Sequence, residues 1–239
     1  MTKAQMQDAF RIELDKVDSL QYPAFTDDEL DYLFDRAQDQ FIETRYSGSN
    51  PSGFGFEENQ KRLDDLRYLV VEDILTTTLD NGTLSSKPNC YTADLTDLAD
   101  ENAYRRLVGE ECTITYTDRL TNQSVNLIQP ITECTANNYV SQVHDPLSSH
   151  RLHYNTASPL RLIKGDTIEL ITDGTYAIYN YIIRYIKNPT SFVTLESTES
   201  PDFPVHAHPE IVKIAVNIAI ENIESPRSQS YPIKVAEME

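Results

Sequence analysis

The stretch PEIVKIAVNIAIENI, residues 209–223, predicts a strongly apolar helix that follows a long β-patterned part of the chain. Pro209 suits the first helical position, where its missing N–H costs nothing, and Ser225-Pro226 ends the pattern. A helix that is apolar on every side must be buried. We therefore expect it to pack onto a bundle made by the earlier helices, so that the strands are an insertion into a helical body.

Three acidic helical segments precede the strands, and we predict them at Lys3–Val17, Asp27–Tyr46 and Phe56–Leu79. The second helix has the clearest pattern, because five apolar residues share one of its faces: Leu30, Leu33, Phe34, Ala37 and Phe41. At its start, Thr26 and Glu29 have the spacing of a capping box. We expect the second and third helices to lie antiparallel as a long hairpin.

Alternating side chains indicate strands from Leu84 onward. Residues 112–117 alternate apolar side chains with threonine, and Val125–Ile131 and Tyr139–His144 predict further strands. The strongest hairpin is predicted between residues 167–172 and 175–187. Its Asp173-Gly174 pair supplies the positive φ angles that a two-residue turn requires.

The second strand of this predicted hairpin has two apolar faces. One face carries Tyr176, Ile178, Ile182 and Ile186, and the other carries Tyr179, Tyr181, Ile183 and Tyr185. We interpret Tyr179, Tyr181 and Tyr185 as a candidate subunit interface, because tyrosine is enriched at interfaces. The alternative is that both faces are covered within the chain. Phe54 and Phe56, in a Gly-rich loop, are two further aromatic anchors for such an interface.

These patterns predict an α+β protein in which a helical bundle carries an inserted antiparallel β-rich domain. The expected bounds are 1–83 with 203–225 for the bundle, 84–202 for the insertion and 226–239 for an extended C-terminal tail. In the tail, Tyr231, Ile233 and Val235 alternate with polar or imino residues. Such a segment is either disordered alone or a strand that awaits the edge of a partner's sheet.

The net charge of −18 is concentrated in the predicted helical parts. Such a surface repels nucleic acid, because phosphate binding needs clustered Lys and Arg.

The polar N-terminus lacks the apolar core of a signal peptide, and the apolar stretch near residues 211–220 is too short and interrupted to span a bilayer. Three cysteines without a close pair fit reduced residues of a protein made in a cytosol.

No residue set in the sequence forces a chemistry. His144, His150 and His153 cluster, as do His206 and His208, but neither group has a third ligand at a fixed spacing on a defined element. Acidic pairs such as Asp64-Asp65 fall on polar helix faces and at helix starts, where solvated or ion-paired roles are the rule. We therefore expect no catalytic, metal or cofactor site and no enzyme.

Several stretches resemble the ring or head-to-tail adaptor proteins in the necks of tailed bacteriophages, specifically of crAss-like phages. They are TDDELDYLFDRAQDQFIETRY, FEENQKRLDDLRYLVVEDIL, PLRLIKGDTIEL, YIIRYIKNP and PVHAHPEIVKIAVNIAIENIESPR. The resemblance implies a structural virion protein, assembled in the host cytoplasm. It would form a homo-oligomeric ring, commonly twelve-fold, beneath the portal protein and would extend the DNA channel towards the tail.

The resemblance also implies partners and surfaces. Adaptors of this kind send a terminal extension along the portal, and here the matching positions are Tyr231, Ile233 and Val235. Further neck or tail proteins are expected neighbours, and no membrane is involved. From the charge we add the hypothesis of an acidic lumen face that lets DNA pass without binding, formed by Asp31, Asp35, Asp39, Asp64 and Asp65.

Two other functions compete with the neck ring. A tail-associated receptor- or glycan-binding module would use the Tyr-rich β region as its binding surface and would behave as a monomer or trimer. A metal hydrolase built on the histidines would contain stoichiometric zinc.

Overall fold

The structure, a computed structural model, describes residues 1–17, 25–47, 60–80, 90–98, 104–117, 122–133, 159–172 and 174–222. Within these ranges the chain forms four α-helices and two β-sheets, which confirms the α+β class. The described residues divide into two compact units. The helical unit takes residues 1–70 and those from Pro189 onward, and the sheet unit takes residues 71–188.

The helical unit contains α1 (Lys3–Val17), α2 (Asp27–Tyr46), α3 (Gln60–Leu66) and α4 (His208–Asn222). Helix α4 packs against α1 and α2. Its apolar residues are buried together with the predicted apolar face of α2, as expected from their period. The two helices run antiparallel, because the end of α2 pairs with the start of α4 through Arg45 and Glu210.

The start of α2 has the predicted capping box. The Thr26 hydroxyl accepts a hydrogen bond from the Glu29 backbone N–H at 3.4 Å, and the Glu29 carboxylate accepts one from the Thr26 backbone N–H at 2.8 Å. Two backbone donors that the helix leaves unpaired at its start are thereby satisfied.

The predicted third helix, Phe56–Leu79, is wrong over most of its length. Its described part is helical only as α3, after which the chain enters β1 (Val70–Thr76) and β2 (Thr78–Asp80). The apolar spacing fits a helix, but Val70, Val71, Ile74 and the threonines 76–78 are β-branched and favour a pleated strand. Neighbouring strands complete the hydrogen bonds of β1 and β2, so the predicted long helical hairpin does not form.

Residues 189–207, which we term the strap, belong to the helical unit although we expected most of them in the β-rich insertion. The first backbone N–H groups of α1, from Lys3 and Ala4, donate to the strap carbonyls of Glu199 and Ser197 at 2.8 and 3.1 Å. The Asp35 carboxylate accepts from the Phe192 N–H at 2.7 Å. The strap thus caps α1 and is anchored to α2.

The sheet unit contains two sheets whose strand orders are β1-β9-β4-β5 and β2-β3-β8-β7-β6. The remaining strands are β3 (Cys90–Asp94), β4 (Tyr104–Thr117), β5 (Ser124–Pro130), β6 (Thr132–Glu133), β7 (Leu160–Lys164), β8 (Thr167–Ile171) and β9 (Ala177–Lys187). The pairs β2–β3, β3–β8, β7–β8, β4–β5 and β4–β9 are antiparallel, whereas the short β6–β7 pair is parallel. A short 3₁₀ turn, Leu95–Asp97, follows β3.

The predicted hairpin at residues 167–187 is wrong, because β8 and β9 belong to different sheets. The tight hairpin lies one strand earlier, between β7 and β8, where Lys164 pairs with Thr167 across Gly165-Asp166. Gly165 has φ +61°, which a residue with a side chain rarely adopts. Gly174 also has a positive φ of 79°, yet its turn takes the chain from one sheet to the other.

Candidate functional site

A charge cluster around the buried side chains of Arg45 and Asp65 joins α2, α3, the strap and α4. Arg45 Nε donates to Asp65 Oδ2 at 2.8 Å, and its Nη2 pairs with Glu210. His206 Nε2 lies 2.9 Å from the second oxygen of Asp65, and Lys61 Nζ lies 3.2 Å from Glu210. We call these five residues the Arg45 cluster. Asp65 is fully buried, and Arg45 and His206 lie against its two carboxylate oxygens.

A second buried ion pair links α1 to α2 and to the strap. Lys3 Nζ lies 2.6 Å from Asp31 Oδ2 and also donates to the backbone carbonyls of Phe192 and Leu195. The Gln7 amide donates to the other Asp31 oxygen at 2.9 Å. All three ammonium protons are therefore placed on protein oxygens, which is the arrangement that a buried Lys–Asp pair needs.

The five aspartates expected to form one acidic face are distributed differently in the fold. Asp31 and Asp65 are buried in the ion pairs above, so they do not contribute to an exposed face. Asp35 is half-buried and holds the strap through Ser191 and Phe192. Asp39 is exposed and Asp64 is half-buried. The helical pattern identified acidic positions, but their ion-pair partners in the folded chain were not visible in it.

The three tyrosines expected at a subunit interface also separate. Tyr181 and Tyr185 are buried in the sheet core, whereas Tyr179 is 70% exposed. The cause is a β-bulge: Thr113 pairs with Asn180 and Ile114 pairs with Ile178, so Tyr179 is the extra residue on β9. The bulge places Ile178 on the same buried side as Tyr181 and Tyr185, so the two predicted faces exchange sides at Tyr179 and neither continues along the whole strand. Phe54 and Phe56 lie outside the described residues.

An ion pair and a hydrogen bond that share Glu110 join β4, β7 and β9 inside the sheet unit. Arg161 Nε lies 3.0 Å from Glu110 Oε1, and the Tyr181 hydroxyl donates to Glu110 Oε2 at 2.9 Å. Burial raises the pKa of the Glu110 carboxyl, which Arg161 partly opposes. Burial raises the pKa of the Tyr181 hydroxyl as well, and it raises that of the Cys112 thiol to about 12. A thiol in this state is inert at neutral pH.

Exposed apolar side chains on the sheet unit were not singled out in the sequence. Ile74 on β1 is 60% exposed and Ile128 on β5 is 61% exposed. Strand β5 ends the strand order of the four-stranded sheet and carries no charged side chain. The missing charge is a signal that the sequence does contain, since edge strands that must stay unpaired commonly carry lysine or other charges.

The histidines of the second predicted group are occupied by contacts within the helical unit. His208 Nε2 lies 2.9 Å from the Phe203 carbonyl and His208 Nδ1 lies 2.7 Å from the α-amino group of Met1, so Nε2 carries the proton and Nδ1 accepts. Burial lowers the pKa of this imidazole. His144, His150 and His153 lie outside the described residues.

Neither a cluster of metal ligands nor a membrane-spanning helix occurs in the described ranges. In them no three His, Cys, Asp or Glu side chains come together in a way that would hold a metal ion. None of the helices in these ranges combines the length and hydropathy that a membrane-spanning helix needs. The tail positions Tyr231, Ile233 and Val235 lie beyond the last described residue, Asn222.

Comparison with known proteins identifies the family. No curated protein matches the chain. The family described as phage tail ring protein 3/4, of the crAss-like type, matches residues 1–228. This match covers both the helical and the sheet unit, and it agrees with the resemblance of the five sequence stretches. The chain belongs to the phage tail ring protein 3/4 family of crAss-like phages, and it is a structural component of a phage tail.

Proposed function

We propose that the chain forms a closed homo-oligomeric ring in the neck of the virion, where it joins head to tail and extends the DNA channel. The observation that carries this proposal is the family match over residues 1–228, which names a tail ring protein. A twelve-fold ring next to the portal protein, with further neck or tail proteins on its other side, is the arrangement that we expect. The proposal gives the chain no catalytic role and no cofactor.

The helical unit supports this role as a rigid trunk. The Arg45 cluster and the Lys3–Asp31 pair tie all four helices and the strap together through buried charges. We infer that these buried pairs specify one arrangement of the elements that they join. In our proposal the bundle of α1, α2 and α4 forms the body of each subunit, and the sheet unit, inserted between α3 and the strap in the chain, contacts neighbouring proteins.

The acidic surface supports passage of DNA without binding. The chain carries a net charge of −18, and a lumen wall with that sign repels the phosphate backbone and leaves no phosphate contacts to break. Asp35 is engaged by the strap, so of the predicted lumen residues the exposed Asp39 and the half-buried Asp64 remain candidates. We propose these two, together with their acidic neighbours on α2 and α3, for the face towards the channel.

A ring requires two different surfaces on each subunit that fit one another, because head-to-tail contacts close only when the rotation between copies returns to the start. The exposed apolar positions Ile74, Ile128 and Tyr179 support one such surface on the sheet unit. The tail residues Tyr231, Ile233 and Val235 remain our candidates for contact with the portal or a neighbouring ring.

Electron microscopy of the purified protein tests the proposal. We expect closed rings in negative stain at concentrations of about 1–10 μM, the range in which standard-size interfaces associate. The Ile128→Lys variant should reduce rings to monomers. The matched control is Val205→Lys, which places the same charge at a residue that is 71% exposed in the helical unit. A wild-type protein that stays monomeric and binds capsular polysaccharide would instead favour the receptor-binding alternative.

A map of the virion neck tests the location. Density for this chain should encircle the channel between the portal and the tail. Density at the distal end of the tail or on a fibre would contradict the neck assignment while leaving the family membership unchanged.

A further inference from the structure

Two long strands lie at the opposite edges of the four-stranded sheet. Strands β1 and β5 end the strand order β1-β9-β4-β5, and each is seven residues long. The end strands of the other sheet, β2 and β6, have only three and two residues. Among the described residues, no strand pairs with the outer edge of β1 or of β5. An edge of this length presents a row of backbone N–H and C=O groups to which another strand can add.

Neither edge has the charged side chains that commonly keep an edge strand unpaired. Strand β5 carries no charged residue, and its one proline, Pro130, is its last residue. Strand β1 carries two acids, and both have partners within the chain. Glu72 lies 2.6 Å from Arg184, and Asp73 accepts a hydrogen bond from the Tyr185 hydroxyl at 2.9 Å. Both edges are therefore suited to pairing with a further strand.

The strand directions allow the sheet to continue from one copy of the chain to the next. Strand β1 runs antiparallel to β9, because Glu72 pairs with Arg184 and, further along, the Thr77 N–H donates to the Tyr179 carbonyl at 3.3 Å. The pairs β4–β9 and β4–β5 are also antiparallel. The four strands thus alternate in direction, and β1 of an identically oriented neighbour beside β5 continues the alternation. Such a contact joins two different edges and repeats in one sense, as a ring requires.

We propose that β5 of each subunit pairs antiparallel with β1 of the next subunit, so that the four-stranded sheets form one continuous sheet around the ring. This inference rests on the ring proposal and deepens it, because it assigns the two different surfaces that meet between subunits. It also divides the exposed apolar positions between these surfaces, with Ile74 on one edge and Ile128 on the other.

One register of the two strands matches their side chains. Ile74 and Ile128 are 60% and 61% exposed, so both lie on the outer face of the sheet. Leu75 is buried on the inner face, and Leu127 pairs with the buried Ile114 yet remains 40% exposed. Because side chains alternate between the two faces of a strand, placing Ile74 opposite Ile128 also places Leu75 opposite Leu127. The pairing would cover the apolar area of Leu127 that its own chain leaves exposed.

The charges favour this pairing over a contact between two identical edges. Two β1 strands side by side would bring Glu72 and Asp73 of both copies together, and like charges on facing strands are destabilising. Strand β5 is uncharged, so its contact with β1 avoids this repulsion. In the register above, Asp73 lies opposite Gln129, whose amide can donate to the carboxylate.

Disulfide cross-linking of the full-length protein tests the pairing. The variant Ile74→Cys with Ile128→Cys is made in a Cys134→Ser background, and Cys90 and Cys112 remain because both are buried. Opposite residues of an antiparallel pair have Cβ atoms about 4.5–5.5 Å apart, which a small adjustment brings within the reach of a disulfide. We expect a ladder of linked chains on non-reducing gels, since each subunit has one cysteine at either edge. An equimolar mixture of the two single variants should stop at dimers.

The matched control is Tyr179→Cys with Ile128→Cys. Tyr179 is 70% exposed but lies on β9, which has a partner strand on both sides, so this variant should cross-link about tenfold more slowly. Rings in electron micrographs of the Ile74–Ile128 variant without a ladder would overturn the edge pairing and leave the ring proposal intact. Absence of both rings and ladder would overturn both proposals. A dimer formed by Ile128→Cys alone would replace the edge pairing by a two-fold contact between β5 strands.

Hydrogen exchange of the wild-type protein provides a second test that needs no substitution. Pairing protects the amides that point outwards from each edge, which are about half of those in a strand. We expect these amides in residues 70–76 and 124–130 to exchange about tenfold more slowly in the assembled protein than in dilute monomers. Strand β9 is the internal control, because it is already paired on both sides. Unchanged exchange in β1 and β5 on assembly would overturn the inference.

Discussion

The helical unit and the sheet unit differ in how directly the sequence reports which side chains are buried. In α2, the predicted face of Leu30, Leu33 and Phe41 is the buried face, because the period of a helix continues unchanged from its first residue to its last. In β9, the extra residue Tyr179 exchanges the two faces partway along the strand. A strand has a period of two, so one inserted residue reverses every assignment beyond it. Face predictions are therefore robust in helices and depend on the partner strand in sheets.

The largest expected effect tests the bulge. Tyr181→Ala should destabilise the sheet unit by about 4 kcal/mol, because it empties a fully buried aromatic site and removes a hydrogen bond to Glu110. Tyr179→Ala, two residues away, should change stability by less than about 0.5 kcal/mol. Urea denaturation followed by circular dichroism measures both. If the two variants lose similar stability, Tyr179 is not the bulged, exposed residue.

The next effect compares ion pairs in the two units. Asp65→Ala leaves Arg45 without one of its partners in a buried site and should cost about 3 kcal/mol of unfolding free energy. Arg184→Met removes the Arg184–Glu72 pair of the sheet unit, whose side chains are about half exposed, and should cost about 0.5 kcal/mol. Denaturant midpoints at two ionic strengths provide the measurement. A loss for Asp65→Ala as small as that for Arg184→Met would show that the Arg45 cluster does not hold the helical unit together.

A smaller effect concerns the one helix start that the sequence specified in full. Thr26→Ala removes the capping hydroxyl of α2 and should cost about 1 kcal/mol, whereas Thr26→Ser keeps the hydroxyl and should be close to neutral. Thermal unfolding of both variants, compared with wild type, separates the cap from the loss of a methyl group. Equal loss in both variants would mean that the hydroxyl contributes little.

The smallest expected effect is a dependence on pH in the helical unit. Since burial lowers the pKa of His208 below its value of about 6.5 in an unfolded chain, the unfolded state binds more protons below that pH, and stability falls as the solution is acidified from pH 6.5. His208→Gln keeps an acceptor for the Met1 amine and a donor for the Phe203 carbonyl, so it should flatten this slope. His206→Gln is the control at the neighbouring position. Unfolding midpoints measured between pH 5 and 7 provide the test. If His208→Gln leaves the slope of stability against pH unchanged, His208 is not the cause of the pH dependence.

Several features of the fold were predictable because their cause is local. The bounds of α1 and α2 agree with the predicted helices, and the capping box of Thr26 and Glu29 is present as its spacing indicated. The third helix failed because its apolar spacing suits a helix while its β-branched residues suit a strand, and pairing within a sheet decided between them. The hairpin prediction failed because the sequence contains two candidate turns, Gly165-Asp166 and Asp173-Gly174. Only the first joins two strands of the same sheet.

The candidate site residues were predictable to a smaller degree. Acidic positions on α2 and α3 are evident in the sequence, yet Lys3, Arg45 and His206, which determine whether those positions are buried, come from distant parts of the chain. The exposed apolar edge of β5 had a readable signal in its lack of charge, although its position at the edge depends on the strand order.

By itself, the sequence determined the α+β class, the first two helices, the cap of the second, the apolar last helix and the acidic character of the surface, since each follows from short-range spacing or from composition. The tertiary structure decided where the third helix ends, which strands pair, which tyrosines of β9 are buried and which aspartates carry buried ion pairs. These properties depend on contacts between residues far apart in the chain. The local sequence around a residue shows neither its distant contact partner nor a one-residue shift in strand register.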